Sequence, residues 1–434
     1  MKSALLGKRA ICRTRLLSST MQTPYSRPTD DDLLERTIKD RVATATPPKA
    51  IAIFGPRRIG KTTLLEQITQ GQQTSWYVGE FPGTAEALSF RMPGDVVNLL
   101  TAAPNLVIDE AHKIADIGTI IKMLVDTNER LDRPCRIFLT SSSAIHQQMV
   151  KETAVGRIAS KQMWPFSLYE MAAKFGWGFV NSFVERFLIY GLMPISALKP
   201  HEARDFLDDY CSGHLLKDFY DLYPEKNPRL VSKILVRLAH YIGSEISYES
   251  LAREIGTSRN TLEDYISKLE ECSIIRICPS YSRNLANELK KGKKIYIFDN
   301  GVRNALIHDF SPMSSRADAG ALWENFFFME RMKLHDTIRD FKSMYFWRTT
   351  GPYPKEIDFL EVLDGSIEAF ECKLSPKVQT SRHDVFFKEK YPGSKITVVR
   401  PADCMRIFKE AYRTSNDADE SLNAYLQALK SAAK

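Results

Sequence analysis

Apolar runs of strand length, separated by polar turns, recur in the first third of the chain. They read AIAIF at 50–54, NLVID at 105–109 and RIFLTSSSA at 136–144, the last ending in a polar cluster. Continuous apolar runs of this length are typical of strands buried on both faces of a parallel sheet. Helical spacing follows the first run, in KTTLLEQITQ. We therefore predict an α/β domain over residues 30–180.

The middle of the chain, residues 181–285, has helical spacing instead, and its aromatic residues are predicted to be core. Within it, residues 246–284 predict a short helix ending at Gly256, a second helix capped by Thr257 or Ser258, and a strand. This order is typical of a winged helix-turn-helix. A DNA reader would present Arg259, Asn260 and Lys268, but the second helix also carries four acids. A DNA reader and a packing module therefore both remain open.

The last third returns to short alternating runs. EIDFLEV and IEAFECKL predict two strands joined as a hairpin at Asp364–Gly365. An amphipathic helix is predicted over 320–334, before the hairpin. Together these patterns predict a second α/β domain over 286–410, with a C-terminal helix at 411–434.

The length, charge and cysteine content of the chain limit what kind of protein it can be. A chain of 434 residues accommodates two or three domains. The net charge of +7 mildly favours an anionic partner, and no apolar run approaches the roughly 20 residues that span a bilayer. The seven cysteines are scattered without a CxxC pair, which indicates a reducing cytoplasm rather than disulfides or zinc. The basic residues 1–29 resemble a transit segment, a disordered tail, or a stretch before a start at Met21.

A nucleotide-binding loop is predicted where the first strand meets its helix. GPRRIGKT matches the pattern G-x-x-x-x-G-K-[ST], in which backbone N–H groups and the helix N-terminus face the phosphates. Lys61 would reach the β- and γ-phosphates, and Thr62 would hold Mg²⁺. The predicted ATP-binding residues of this loop are Gly55, Pro56, Arg57, Arg58, Ile59, Gly60, Lys61, Thr62 and Thr63.

The ends of the next two strands supply the rest of the predicted site. Asp109 is expected to hold Mg²⁺ through water, and Glu110 to polarise the attacking water. Thr140, Ser141 and Ser142 either sense the γ-phosphate or cap the next helix. Arg157 is either an arginine finger toward a second copy of the chain or a surface residue. His112, in the DEAH sequence at 109–112, is interpreted as incidental, because no second P-loop-like unit follows.

A second constellation lies in the C-terminal third. An Asp on one strand and Glu-x-Lys on the next is the layout of PD-(D/E)XK nucleases, and here these are Asp358, Glu371 and Lys373. Period two places Glu371 and Lys373 on one face. Glu324 on the upstream helix would complete a metal shell, and the lysine would orient water. The alternative is a charged solvent face.

The motifs as a set resemble a family of bacterial and archaeal AAA-type ATPases with a C-terminal domain of restriction-endonuclease-like fold. They occur in the order GPRRIGKTTLL, LVIDEAHK, LTSSS, PFSLYE, GALWENF, KEIDFL and FECKLSP, and the resemblance covers about residues 30–400. It implies a P-loop ATPase domain, a helical and winged-helix region, and a nuclease-like domain. It assigns nucleotide chemistry to Lys61, Thr62, Asp109 and Glu110.

Three functions follow as hypotheses. The first is a Mg²⁺-dependent ATPase that couples nucleotide state to DNA handling. The second is a nucleotide-gated switch or scaffold that binds a protein partner and has an inert nuclease-like domain. The third is a free-standing nuclease in which ATP only folds the protein. The expected cofactors are ATP and Mg²⁺, and DNA or a second copy of the chain are the expected partners.

Overall fold

The computed structural model describes residues 49–141, 156–282, 292–338, 340, 342–349, 354–375 and 382–411. The chain divides into two compact units, Met1–Met163 and Trp164–Lys434. The predicted boundary at residue 180 therefore falls inside the second unit. Three predicted features lie outside the described residues: the basic extension at 1–29, Ser142, and the C-terminal helix beyond residue 411.

The first unit is built on a parallel sheet, as the apolar runs predict. Its strand order is β2-β3-β4-β1-β5, with every pairing parallel. All residues of β1 and β3 are buried, which explains their uninterrupted apolar sequences. The strands are β1 Ala50–Phe54, β2 Thr74–Val78, β3 Asn105–Asp109, β4 Arg136–Ser141 and β5 Ile158–Gln162. The helices are α1 Lys61–Ile68, α2 Pro82–Ala87, α3 Pro93–Thr101 and α4 Ile117–Asn128, with a 3₁₀ turn at Ala111–Lys113.

Helices form the first part of the second unit, as their spacing predicts. Capping residues mark several starts: Ser167 accepts from the N–H of Glu170, and Asn227 accepts from the N–H of Arg229. The helices are α5 Leu168–Phe175, α6 Trp177–Tyr190, α7 Pro194–Leu198, α8 Ala203–Gly213, α9 Lys217–Leu222 and α10 Pro228–His240.

A helix-turn-helix with a small sheet follows. Helices α11 (Tyr248–Ile255) and α12 (Arg259–Glu271) are separated by a left-handed Gly256, and Ser258 caps the second. The sheet has the order β6-β8-β7, with strands β6 Glu245–Ile246, β7 Ile275–Pro279 and β8 Lys293–Ile297. Strand β8 was expected to open the C-terminal domain. It instead completes this sheet by pairing antiparallel with β7, because β7 alone leaves its backbone groups unpaired.

The last sheet contains the predicted hairpin. Its order is β12-β11-β10-β9, with strands β9 Ser343–Arg348, β10 Glu356–Leu363, β11 Ser366–Cys372 and β12 Lys395–Val399. Strands β10 and β11 pair antiparallel and turn at Asp364 and Gly365, both with positive φ, as the sequence predicts. The remaining helices are α13 Asn300–Leu306, α14 Ala319–Ile338 and α15 Arg382–Lys390, with 3₁₀ turns at Met313–Ser315 and Pro401–Asp403.

Helix α14 differs from its prediction as an amphipathic helix. Nearly all of its described residues are buried, including Glu324, Glu330 and Lys333. Its charged residues face protein rather than solvent: Glu330 accepts a hydrogen bond from the N–H of Leu168 and pairs with Lys333. Burial of charge is tolerable only where each charge has such a partner. Helix α14 is therefore central to its unit.

Candidate functional site

The loop after β1 turns sharply at two glycines. Gly55 has φ +150° and Gly60 has φ +97°, in the region that favours glycine. A Cβ added to Gly55 would lie 2.2 Å from the carbonyl oxygen of Met163. Lys61 is the first residue of α1. The N–H groups of the first turn, which have no acceptor within the helix itself, therefore lie next to the loop, as anion binding requires.

Lys61 is folded back over this loop. Its ammonium donates to the carbonyl of Gly55 at 2.7 Å and to that of Pro56 at 3.0 Å. The side chain is buried, and backbone carbonyls provide these two contacts. These two contacts hold the ammonium against the backbone of the loop.

Three side chains from three elements meet at the end of β3. The Thr62 hydroxyl donates to Asp109 Oδ2 at 2.9 Å. The Thr140 hydroxyl donates to Asp109 Oδ1 and accepts from the N–H of Glu110 at 2.9 Å. Strand β3 pairs with β4 and β4 with β1, so the parallel sheet brings these strand ends together. The convergence predicted for Thr62, Asp109 and Thr140 is present.

Glu110 and its neighbours complete this end of the sheet. Glu110 has φ +52°, an uncommon conformation that turns the chain just after the strand. Its Oε2 lies 3.4 Å from Nδ1 of His112, so His112 is adjacent to the predicted catalytic acid. Sequence reasoning missed this, although only one residue, Ala111, separates the pair. The buried Ser141 hydroxyl has no hydrogen-bond partner among the described residues.

The remaining predicted positions of this unit differ in environment. Ile59 is buried and anchors the loop, whereas Arg58 is exposed with φ +59°. Arg57 and Thr63 are half-buried. Arg157 forms a bidentate pair with Asp126 on α4, at 2.5 and 3.1 Å. The hydrogen bond from Arg157 lowers the pKa of Asp126.

In the second unit, three of the residues predicted to form a nuclease-like site lie close together. Lys373 Nζ lies 2.6 Å from Glu371 Oε2 and 3.5 Å from Asp358 Oδ2. The N–H of Cys372 donates to the same Asp358 oxygen at 2.6 Å. The pairing of β10 with β9 is irregular between Ile357 and Leu360, and such irregularities re-aim side chains. Glu371 and Lys373 share a face, as period two predicts.

Glu324 reaches this cluster through a lysine that sequence reasoning missed. Lys294 Nζ lies 2.9 Å from Glu324 Oε1 and 2.7 Å from Glu356 Oε1. The Tyr296 hydroxyl also donates to Glu324 Oε1, at 2.7 Å. Alternation in KKIYIF places Lys294 and Tyr296 on one face of β8, which was the available signal.

The electrostatics reflect four carboxylates around two lysines. Burial, opposed by Lys294, raises the pKa of Glu324 to about 7. Burial and the charge of Asp358 raise the pKa of Glu371 to about 7. Burial lowers the pKa of Lys373, but the charges of Asp358 and Glu371 outweigh it and raise that pKa overall.

The fit of this cluster to a divalent cation is uneven. Carboxylate oxygens are the ligands that Mg²⁺ prefers. Glu371 Oε1 is buried and has no hydrogen-bond partner among the described residues, so it fits a cation. Glu324 Oε1 already accepts from Lys294 and Tyr296. Asp358 and Glu371 fit the predicted metal shell better than Glu324 does.

Both basic side chains of the predicted DNA-facing helix, α12, pair with acids of the same helix. Arg259 is exposed but pairs with Glu263 at 3.0 Å, one turn along the helix. Lys268 pairs with Asp264, which also accepts from Lys226 at 2.6 Å. The basic side chains expected to meet DNA are therefore engaged by acids within the chain.

An ion-pair network lies elsewhere on the same sheet. Glu361 accepts from Arg331 at 2.6 and 2.5 Å, and His335 Nε2 lies 3.0 Å from it. Burial raises the pKa of Glu361, but the hydrogen bonds from Arg331 and His335 outweigh burial and hold that pKa at about 2. Glu361 lies beyond the irregular part of β10, opposite Glu368 on β11. We interpret this network as structural.

Comparison with protein families identifies parts of the chain. Residues 47–172 match a model described as an AAA domain. Residues 182–313 and 319–414 match two models described as domains of unknown function, DUF8612 and DUF4143. The AAA match and the loop geometry together support a nucleotide-binding, AAA-type ATPase domain in the first unit.

Two full-length mycobacterial proteins are similar to this chain over most of its length. The chain is 25% identical over 338 residues to Uncharacterized protein Rv2008c of Mycobacterium tuberculosis and to Mb2031c of Mycobacterium bovis, covering 76% of this chain and 72% of each relative. Among solved structures, the Walker-type ATPase paby2304 of Pyrococcus abyssi is 16% identical with a TM-score of 0.42, covering 65% of this chain and 95% of its own. The Orc1 protein of Aeropyrum pernix in complex with DNA is 13% identical with a TM-score of 0.31, covering 66% and 94%.

In the part of the chain that the structure describes, no helix is both long enough and apolar enough to cross a membrane.

Proposed function

We propose that the first unit binds ATP with Mg²⁺ and hydrolyses it, and that nucleotide state controls DNA handling by the second unit. The convergence of Thr62 and Thr140 on Asp109, beside a glycine loop that begins a helix, carries the proposal. The buried Ser141 hydroxyl beside Thr140 supports it, because a phosphate oxygen would satisfy that group.

Each residue then has a stated task. Lys61 would transfer its ammonium from the carbonyls of Gly55 and Pro56 to the phosphates. Thr62 and Asp109 would hold Mg²⁺, which when bound neutralises charge on the phosphate oxygens. Glu110 would orient the attacking water and accept its proton, with His112 beside the carboxylate.

Steady-state ATP hydrolysis tests the first half of the proposal. Lys61→Ala should abolish turnover, while the exposed Lys122→Ala on α4 should leave it unchanged. Equal turnover in the two variants would contradict the assignment. A contaminating ATPase would show itself by persisting in Lys61→Ala.

The second half concerns a nuclease-like fold for the C-terminal sheet. In this proposal Asp358 and Glu371 hold the cation, and Lys373, within 2.6 Å of Glu371, orients water against a phosphodiester. Mg²⁺-dependent cleavage of plasmid DNA should be lost in Asp358→Asn. The matched control is Asp364→Asn, the same chemical change at the exposed hairpin turn.

The internal ion pairs of α12 favour a second candidate function, a nucleotide-gated switch or scaffold for a protein partner. Arg259 and Lys268 would have to leave Glu263 and Asp264 to contact DNA. Binding to fluorescent duplex and single-stranded DNA at low salt, with and without ATP, separates the two. DNA affinity and DNA-stimulated turnover support DNA handling, and their joint absence supports the switch.

A further inference from the structure

Lys294 is the most buried charge near the C-terminal carboxylates. Its side chain is 1% exposed, and its ammonium lies within 2.9 Å of two carboxylate oxygens, on Glu324 and Glu356. It also donates to the backbone carbonyl of Asp358 at 3.3 Å. A positive charge surrounded by oxygens in this way occupies the position that a bound metal ion would otherwise take.

The carboxylate oxygens of Glu324 and Glu356 are already engaged by other groups of the protein. Glu324 Oε1 also accepts from Tyr296, and the backbone of Gly243 packs close to its other oxygen, since a Cβ there would lie 3.2 Å from Oε2. Glu356 has Arg348 3.9 Å away in addition to Lys294. A divalent ion on Glu324 would stand next to the ammonium, and the two charges would repel each other.

Glu371, on the other side of the cluster, has an oxygen that could still bind a cation. Glu371 is 2% exposed, and its Oε1 has no hydrogen-bond partner among the described residues. An unpartnered buried carboxylate oxygen is costly unless a ligand satisfies it. Lys373, which contacts Oε2, is 30% exposed and can move aside, unlike Lys294.

We propose that Lys294 serves as a built-in cation on the Glu324–Glu356 side, so that the cluster takes one divalent ion, held by Asp358 and Glu371. Glu324 is then a partner of Lys294 rather than a metal ligand, in contrast to the three-carboxylate shell predicted from the sequence. This inference rests on the proposed cation site but requires neither ATP hydrolysis nor DNA cleavage.

Mn²⁺ binding to the full chain tests the inference. Free Mn²⁺ is counted by electron paramagnetic resonance, without nucleotide, in an Asp109→Asn background that removes the ligand of the first unit. We expect one bound ion. Glu371→Gln should weaken its binding at least tenfold, and Glu324→Gln, which makes the same chemical change, less than threefold.

A second variant measures the role of Lys294 itself. Lys294→Met should admit a second Mn²⁺, and Lys294→Met with Glu324→Gln should return the count to one. If Lys294→Met does not fold, the Mn²⁺ affinities of Glu324→Gln and Glu371→Gln still show whether Glu324 is a metal ligand. Two ions in the parent, no ion in the parent, or equal losses in the two glutamine variants would each overturn the inference. If the parent binds one ion but does not cleave DNA, that result would count against the proposed nuclease activity and would leave this inference standing.

Discussion

Each unit contains a buried lysine at its candidate site, and the two lysines differ in the groups that hold the ammonium. Lys61 is held by two backbone carbonyls of its own loop, in a site built around a helix N-terminus. Lys294 is held by two carboxylates that come from different elements, a helix and a strand. The first arrangement is ready to exchange carbonyls for phosphates, whereas the second is closed by its own charges. A site for a polyanion and a site for a cation are thus distinguished by the partners of their lysines.

The largest effect is expected at Glu110, where the first site would do chemistry. Glu110→Gln should lower ATP turnover by about 10²–10⁴-fold, since it removes a general base. ATP affinity, measured with a fluorescent nucleotide, should change little because the phosphate contacts remain. Glu129→Gln, on an exposed residue, is the matched control. Unchanged turnover in Glu110→Gln would mean that another residue is the general base, and His112 would be the first to test.

Next in size is the effect of removing each lysine on stability. Lys294→Met should cost about 3–5 kcal/mol of unfolding free energy, because it leaves buried carboxylates without their cation. Lys61→Met should cost less, about 1.5–3 kcal/mol, the scale of hydrogen bonds that involve a charged group. Urea denaturation of the two variants measures both. Equal losses would remove the distinction between the two lysines.

A smaller effect is expected from pH at the carboxylate cluster. Glu324 has a pKa of about 7 in the folded chain, above its ordinary value, because of burial. The folded state therefore binds more protons between about pH 4.5 and 7, so its stability falls as pH rises through that interval. Glu324→Gln should flatten this part of the urea-midpoint profile. A slope identical to that of the parent would show that Glu324 is ionised across the interval.

The smallest effect is expected at Arg157. Asp126 already holds its guanidinium within the same chain, on a partly exposed surface where ion pairs contribute little. Arg157→Ala should change ATP turnover less than threefold. A loss of about 10³-fold, the size attributed to an arginine finger, would restore the predicted role toward a second copy of the chain. Turnover measured against protein concentration would then be the next experiment.

The nucleotide site was largely predictable, because its residues follow one another along the chain. The loop, its helix and the acid at the next strand end each lie in a contiguous motif. The apolar strands also imply a parallel sheet, which joins their ends. What the motif could not show was the proximity of His112 to Glu110, which depends on the positive φ of Glu110.

The carboxylate cluster was only half predictable. Alternation placed Glu371 with Lys373 on one face, but it does not say which distant side chain meets that face. Lys294 was missed because the predicted domain boundary at residue 286 separates β8 from its neighbour β7, and because its partners lie 30 and 62 residues further along the chain. The burial of most of helix α14 was missed for a different reason: charges that are paired inside the protein look like solvent-facing charges in a sequence.

Cys372 gives the cluster a chemical reporter of its own. The thiol is buried between Glu371 and Lys373 along the strand, and burial raises its pKa well above the ordinary value. Only a thiolate that reaches solvent is alkylated rapidly. The rate at which iodoacetamide labels this residue would therefore measure how often β11 detaches from its neighbours. Slower labelling in the presence of Mn²⁺ would show that the bound ion makes this local opening rarer.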